Sequence, residues 1–138
     1  MRLRYLVLLA LFCALGCGGE KVASVSGTVT LDGKPLPNAA VTFQPVGEGS
    51  LTPGEGSYAR TDNQGRYTLE RKGGQKGAVV GRHRVEITAR IDDGQDKPDQ
   101  DRRTRAKERV PPRYNTQSTL NFEVKPGENT ANFPLESQ

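Results

Sequence analysis

Val25-Ser26-Gly27-Thr28-Val29-Thr30-Leu31-Asp32-Gly33 alternates small or apolar residues with hydroxyl side chains and then stops at Asp-Gly. Val25, Gly27, Val29 and Leu31 fall on one side, and Ser24, Ser26, Thr28 and Thr30 on the other. A period of two marks a strand with one buried face, because successive side chains point to opposite faces. Asp-Gly supplies the positive φ angles of a tight hairpin turn. Lys34-Pro35-Leu36-Pro37-Asn38 then leads into Ala39-Ala40-Val41-Thr42-Phe43-Gln44-Pro45, expected as the second strand.

The same texture continues toward the C terminus. Residues 57–61 form a short strand, Asp62-Asn63-Gln64-Gly65 a turn with Gly65 suited to positive φ, and residues 66–69 a further strand. Residues 71–77 read as a polar, glycine-rich loop. Residues 81–91 give the longest strand, with Val85, Ile87, Ala89 and Ile91 sharing a face. Residues 92–113 are poor in apolar side chains and read as a long charged loop. Leu120, Phe122 and Val124 point inward from the next strand, and Ala131, Phe133 and Leu135 from the last.

About seven short strands separated by turn chemistry, with no helical period after Cys17, predict an all-β antiparallel sandwich over residues 22–136. Two sheets are required, because a single sheet would leave an apolar face in water. The 16 Gly and nine Pro fit that class and oppose long helices. The length of 138 residues fits one domain. With 33 % hydrophobic residues and no Trp, its core must be thin.

Working back from Val22, the N terminus has a different character. Arg2 and Arg4 precede an apolar run over residues 5–15, and Ala14-Leu15-Gly16 places mostly small residues before Cys17. This is the layout of a secretory signal over residues 1–16. The run spans roughly 16 Å as a helix, too short for a hydrocarbon core of about 30 Å. Cys13 leaves with the signal, so Cys17 is the one thiol of the exported chain. A single thiol makes no internal disulfide and no zinc-thiolate site.

Ala14-Leu15-Gly16-Cys17 resembles the lipobox of bacterial lipoproteins, with Gly16 and Cys17 matching and Ala14 and Leu15 departing from the commonest residues. The resemblance implies that Cys17 carries a diacylglycerol, that cleavage falls before it, and that residues 17–21 form a lipidated tether. It places the domain in the cell envelope, held to a membrane outside the cytoplasm.

The body resembles the carboxypeptidase regulatory-like domain, one of the transthyretin-like (prealbumin-like) sandwiches. Val25-Ser26-Gly27-Thr28-Val29 resembles the opening V-x-G-x-V strand of that family. Residues 33–41 resemble G-x-P-L-x-G-A-x-V, with Asn38 in place of the usual glycine. Thr61-Asp62-Asn63-Gln64-Gly65-Arg66-Tyr67 resembles T-D-x-x-G-x-Y, and Gly81-Arg82-His83-Arg84-Val85 resembles G-x-Y-x-V, with His83 in the aromatic place. Such a domain joined to a lipobox resembles small lipoproteins of the planctomycete type. The resemblance implies a fold and an address but no activity.

The chemistry-bearing residues are few. His83 is the only histidine and lacks a nucleophile that the sequence can assign to it. It is expected to pack partly against the sheet. Asp92, Asp93 and Asp96, followed by Asp99 and Asp101, are a weak calcium candidate whose spacing departs from the helix-loop-helix pattern. Arg102, Arg103 and Arg105 follow at once, so a charge-balanced solvated loop is the plainer reading. These arginines and Tyr114 are the candidate binding residues, for lipid head groups, an envelope protein or a glycan.

Without the signal the balance is 18 basic against 16 acidic residues, a net charge of +2, and the basic run has no aromatic to stack bases. Nucleic acid is therefore not expected as a partner. No catalytic residue, metal or cofactor is assigned. The expectation is a non-catalytic tethered module, structural or binding a protein or glycan. The alternative is a carbohydrate- or small-ligand-binding sensor, with a hydrolase further behind.

Overall fold

A computed structural model describes residues 19–47, 54–91 and 107–138. Cys17, the aspartates Asp92, Asp93 and Asp96, and Arg102, Arg103 and Arg105 lie outside the described residues.

The first sheet is assembled around β1 (Val22–Leu31). Along one edge of β1 run three short antiparallel strands. β7 (Ala78–Val79) lies beside Val22 and Ala23, β5 (Arg66–Thr68) beside Ser26 to Thr28, and β2 (Lys34–Pro35) beside Thr30 and Leu31. Along the other edge, β12 (Glu128–Thr130) and β13 (Phe133–Leu135) run parallel to it. The second sheet is antiparallel throughout, in the order β11 (Asn121–Val124), β8 (Gly81–Thr88), β3 (Ala40–Pro45), β4 (Ser57–Arg60), β6 (Glu70–Arg71).

The fold is an all-β sandwich. The alternation seen in the sequence supplies its core: Val25 and Val29 of β1, Val41 and Phe43 of β3, and Val85 and Ile87 of β8 are all fully buried. Phe43 holds the centre, its ring 5.7 Å from both His83 and Phe122 and 6.1 Å from Phe133. Each buried Val, Ile or Phe side chain contributes about 1.5–3 kcal/mol relative to exposure.

The Asp-Gly turn forms with both residues at positive φ, 51° at Asp32 and 78° at Gly33. It closes onto the short β2 rather than onto residues 39–45. Leu36 is buried and Asn38 turns the chain at φ 58°, so β3 crosses to the second sheet and pairs there with β4 and β8. Asn38 adopts this φ because its short polar side chain tolerates the left-handed region.

Ile91 departs from its expected place. Val85, Ile87 and Ala89 are buried as the alternation requires, while Ile91 is 50 % exposed. The β3 partner ends at Ala40, opposite Thr88, and the Ala89 N–H is taken by the Glu108 carboxylate at 2.7 Å. Beyond that point β9 (Arg90–Ile91) pairs with β10 (Lys107–Glu108) as a separate ribbon past the end of the sandwich. The stretch 92–113 is thus not loop to its end. It returns through β10, buries Val110 and makes a 3₁₀ turn over Pro112–Tyr114. The loop expected at 71–77 is narrower too, a tight turn joining Glu70 to Lys76 beside β6.

Candidate functional site

The segment from Thr61 to Tyr67 is occupied with fastening the fold. Thr61 is buried; its hydroxyl donates to the Leu36 carbonyl at 2.6 Å and accepts the Ala39 N–H at 2.8 Å. Asp62 accepts the backbone N–H groups of Gln64 at 2.8 Å and Arg66 at 2.9 Å, and meets the Arg66 guanidinium at 3.1 Å. These bonds, the Arg66 N–H foremost, hold its carboxyl below the usual aspartate range. Gly65 sits at φ 73° with its α-carbon against β1, where a Cβ would come within 2.4 Å of the Val29 carbonyl oxygen. Tyr67 reaches across to donate its hydroxyl to the Ala131 carbonyl at 2.6 Å.

The connection before β11 is likewise stitched by its own polar side chains. The Glu108 carboxylate accepts the N–H of Ala89 and of Val110. Buried Asn115 donates to the Val110 carbonyl at 3.1 Å, and Ser118 donates to the Val85 carbonyl at 2.5 Å. Asn129 closes the turn before β12, accepting the Lys125 N–H at 2.9 Å and donating to the Lys125 carbonyl at 2.8 Å. Buried backbone and hydroxyl groups need such partners, since leaving one unpaired costs about 1–3 kcal/mol.

Tyr114 is half-buried against the core. Its hydroxyl accepts the Glu136 N–H at 3.3 Å, and the Arg113 guanidinium covers the ring 4.8 Å from its centroid. Arg113 also donates to the carbonyls of Glu136 and Gln138. The ring therefore clamps the C-terminal segment and has one face already occupied. Asp32 takes part in the same clamp, accepting the Ser137 N–H at 2.9 Å; that bond lowers its carboxyl below the ordinary value.

His83 is wholly enclosed rather than partly packed. It is 1 % exposed, with Nε2 2.7 Å from the Val79 carbonyl, which places a proton on Nε2, and its ring is tilted against Phe43. A ring so placed fills the core beside Phe43, out of contact with solvent.

The exposed aromatic is Tyr58, at 52 %. It stands on the outer face of the second sheet between Thr42 and Glu70, with Arg60 beyond, over a shallow depression of about 530 Å³ floored by Ala40. No pattern in the sequence ranks Tyr58 over Tyr114, because the difference depends on what the C-terminal segment covers. A second depression, of about 510 Å³, lies over the first sheet between Thr28, Asn132 and the Asp62–Arg66 pair. There the Thr28 hydroxyl donates to the Asn132 amide oxygen at 3.1 Å, which offers a hydrogen-bonding surface. Among the described residues no group of three or more His, Cys, Asp or Glu side chains is placed to hold a metal ion.

No protein-family model and no curated protein matches the chain. Among solved structures, a DUF3823 family protein from Parabacteroides merdae is similar at 13 % identity with a TM-score of 0.42. The match covers 85 % of this chain and 47 % of that one, so this chain spans about half the length of that protein.

Proposed function

We propose that the chain is an exported, lipid-anchored envelope protein whose sandwich, of the carboxypeptidase regulatory-like kind, serves as a non-catalytic structural or binding module. Supporting the tether is the layout of residues 1–17, together with the entry of the chain into β1 at Val22, five residues after Cys17. The observation carrying the non-catalytic reading is the occupation of the buried and turn polar residues. Thr61, Asp62, Tyr67, Asn115 and Ser118 all bond backbone atoms of the fold itself, which is what a scaffold asks of them. In a bacterial host the wild-type protein is expected to partition to the membrane fraction and Cys17→Ser to be released. Equal partitioning of the two would remove Cys17 as the anchor.

Tyr58 favours a second reading, binding of a glycan on the outer face of the second sheet. An exposed ring on a rigid strand, flanked by the Arg60, Glu70 and Thr42 side chains, offers a stacking plane beside hydrogen-bonding groups. Under this reading soluble cell-wall glycan fragments bind the wild type and bind Tyr58→Ala at least tenfold more weakly. An unchanged affinity, or no binding by either protein, would dispose of it.

A further inference from the structure

The two ends of the sandwich are not equivalent. β1 enters at Val22 and leaves at Leu31, a run of ten residues, or about 33 Å at strand rise. The register of the other strands shows what gathers at each end. At the entry end, Val79 pairs with Val22, the Val80 N–H bonds the Lys21 carbonyl at 2.8 Å, and Glu128 lies beside Ser24. β8 starts there with Gly81 opposite Val124, and the Val46 N–H bonds the Arg82 carbonyl at 2.9 Å. At the far end lie the Asp32–Gly33 turn and the Tyr114 clamp. The β9–β10 ribbon is there as well, so the chain leaves the described structure at Ile91 and returns at Lys107 on that side.

The entry end holds its incoming chain tightly. Glu20 meets Arg71 at 2.7 Å, and Arg71 is itself only 15 % exposed. The Arg71 side chain stands at the tight turn over residues 71–75, where its backbone bonds Gln75 at 2.7 Å and Gly74 at 3.0 Å. Glu20 is thus fixed to the domain through Arg71. From Cys17 to Glu20 the chain advances three residues, at most about 11 Å even when fully extended.

Four of the six described lysines are at this end: Lys21, Lys72, Lys76 and Lys125, all exposed. Val46, one of the large hydrophobic side chains left open to solvent, is there too, at 45 % exposure. Glu55, Glu123 and Glu128 share the end, while Glu20 is taken by Arg71. Lysines on long stems beside an exposed apolar residue suit a head-group layer, where the ammonium stays wet and the stem lies on the lipid. The outer faces of the sheets are different in kind: Ser24, Ser26 and Thr28 on the first, and the Arg84–Glu86 pair at 3.2 Å on the second.

From the leash length and the exposed lysines beside Val46 we infer that the entry end is a membrane-docking surface. The sandwich stands on the lipid head groups through Lys21, Val46, Lys72, Lys76 and Lys125, and presents the Tyr114 end to the outside. The inference rests on the lipid anchor at Cys17 proposed above. Its geometry assigns Arg109 and Arg113, both at the far end, to the side away from the bilayer.

The test uses the mature acylated protein extracted from a bacterial membrane. Its Cys17 sulfur is then blocked, so a cysteine introduced elsewhere is the only thiol to label. Lys76→Cys and Asn63→Cys place a fluorophore at the entry end and at the Asp62–Gly65 turn, respectively. Each is reconstituted into phosphatidylglycerol–phosphatidylcholine vesicles carrying a head-group-attached quencher. The expected result is quenching at position 76 at least twofold stronger than at position 63. Charge reversal of Lys72 and Lys125 should narrow that gap. Equal quenching in a vesicle-bound protein would overturn the docked orientation and leave the anchor intact. A protein that never enters the vesicle fraction would overturn the anchor and the orientation together.

Discussion

Tyr67 shows how a polar side chain is used by the fold. Its ring is buried between the sheets and its hydroxyl bonds the Ala131 carbonyl, 64 residues further along the chain. The bond brings the C-terminal segment against β1 where Gly27 has no side chain; a Cβ there would lie 1.8 Å from the Ala131 oxygen. Burial pushes the Tyr67 phenol well above its ordinary 10.0, so the native state retains a proton that the unfolded chain releases. The sign follows from linkage. The contribution is complete below pH 10 and is lost as the pH rises above that value. Tyr67→Phe is expected to lose about 1–2 kcal/mol at neutral pH from the missing hydrogen bond. It should also show a smaller loss of stability between pH 8 and pH 11 than the wild type. Urea midpoints at the two pH values measure both effects; parallel alkaline losses in the two proteins would contradict the assignment. The sequence marks Tyr67 and Gly27 as motif residues, but not their shared partner, because the partner lies at the other end of the chain.

Strands are legible where their signal is local and become obscure where a distant partner decides. Alternation in residues 81–91 reads as one strand, and through Ala89 it is one. Ile91 fails to enter the core because β3 ends at Ala40, a fact about another part of the chain. The two isoleucines, four residues apart, therefore differ sharply. Ile87→Ala should cost about 2–5 kcal/mol, as expected for a fully buried side chain. Ile91→Ala should stay within about 0.5 kcal/mol. Denaturation midpoints decide between them, and a comparable loss at both positions would return Ile91 to the core. Likewise the Asp32–Gly33 turn is correctly marked by its two residues, whereas its closing strand is short and the following one belongs to the other sheet. The parallel pairing of β12 and β13 with β1 has no local signature. It needs the long return of the chain and the bare α-carbon of Gly27.

For the molecule as a whole, what the sequence makes plain and what the structure adds divide at about Val22. Before it, the proposed address rests on consecutive residues, a charged start, a short apolar run and Cys17. After it, the apolar period gives an all-β sandwich, and the polar motif residues prove to be its internal fastenings. Tyr114 is a clamp under Arg113, while Tyr58, which nothing in the sequence distinguishes, carries the exposed ring. The placement of partners is thus a property of the assembled surface. The account turns on Cys17, because the tether, the envelope address and the upright orientation all depend on it. Intact mass of the protein extracted from the membrane of a bacterial host tests it most directly. The account predicts a chain that begins at Cys17, lacking residues 1–16, with added mass equal to a diacylglycerol and further acyl substitution. A mass equal to the unmodified chain, whether full length or trimmed with Cys17 free, would contradict it.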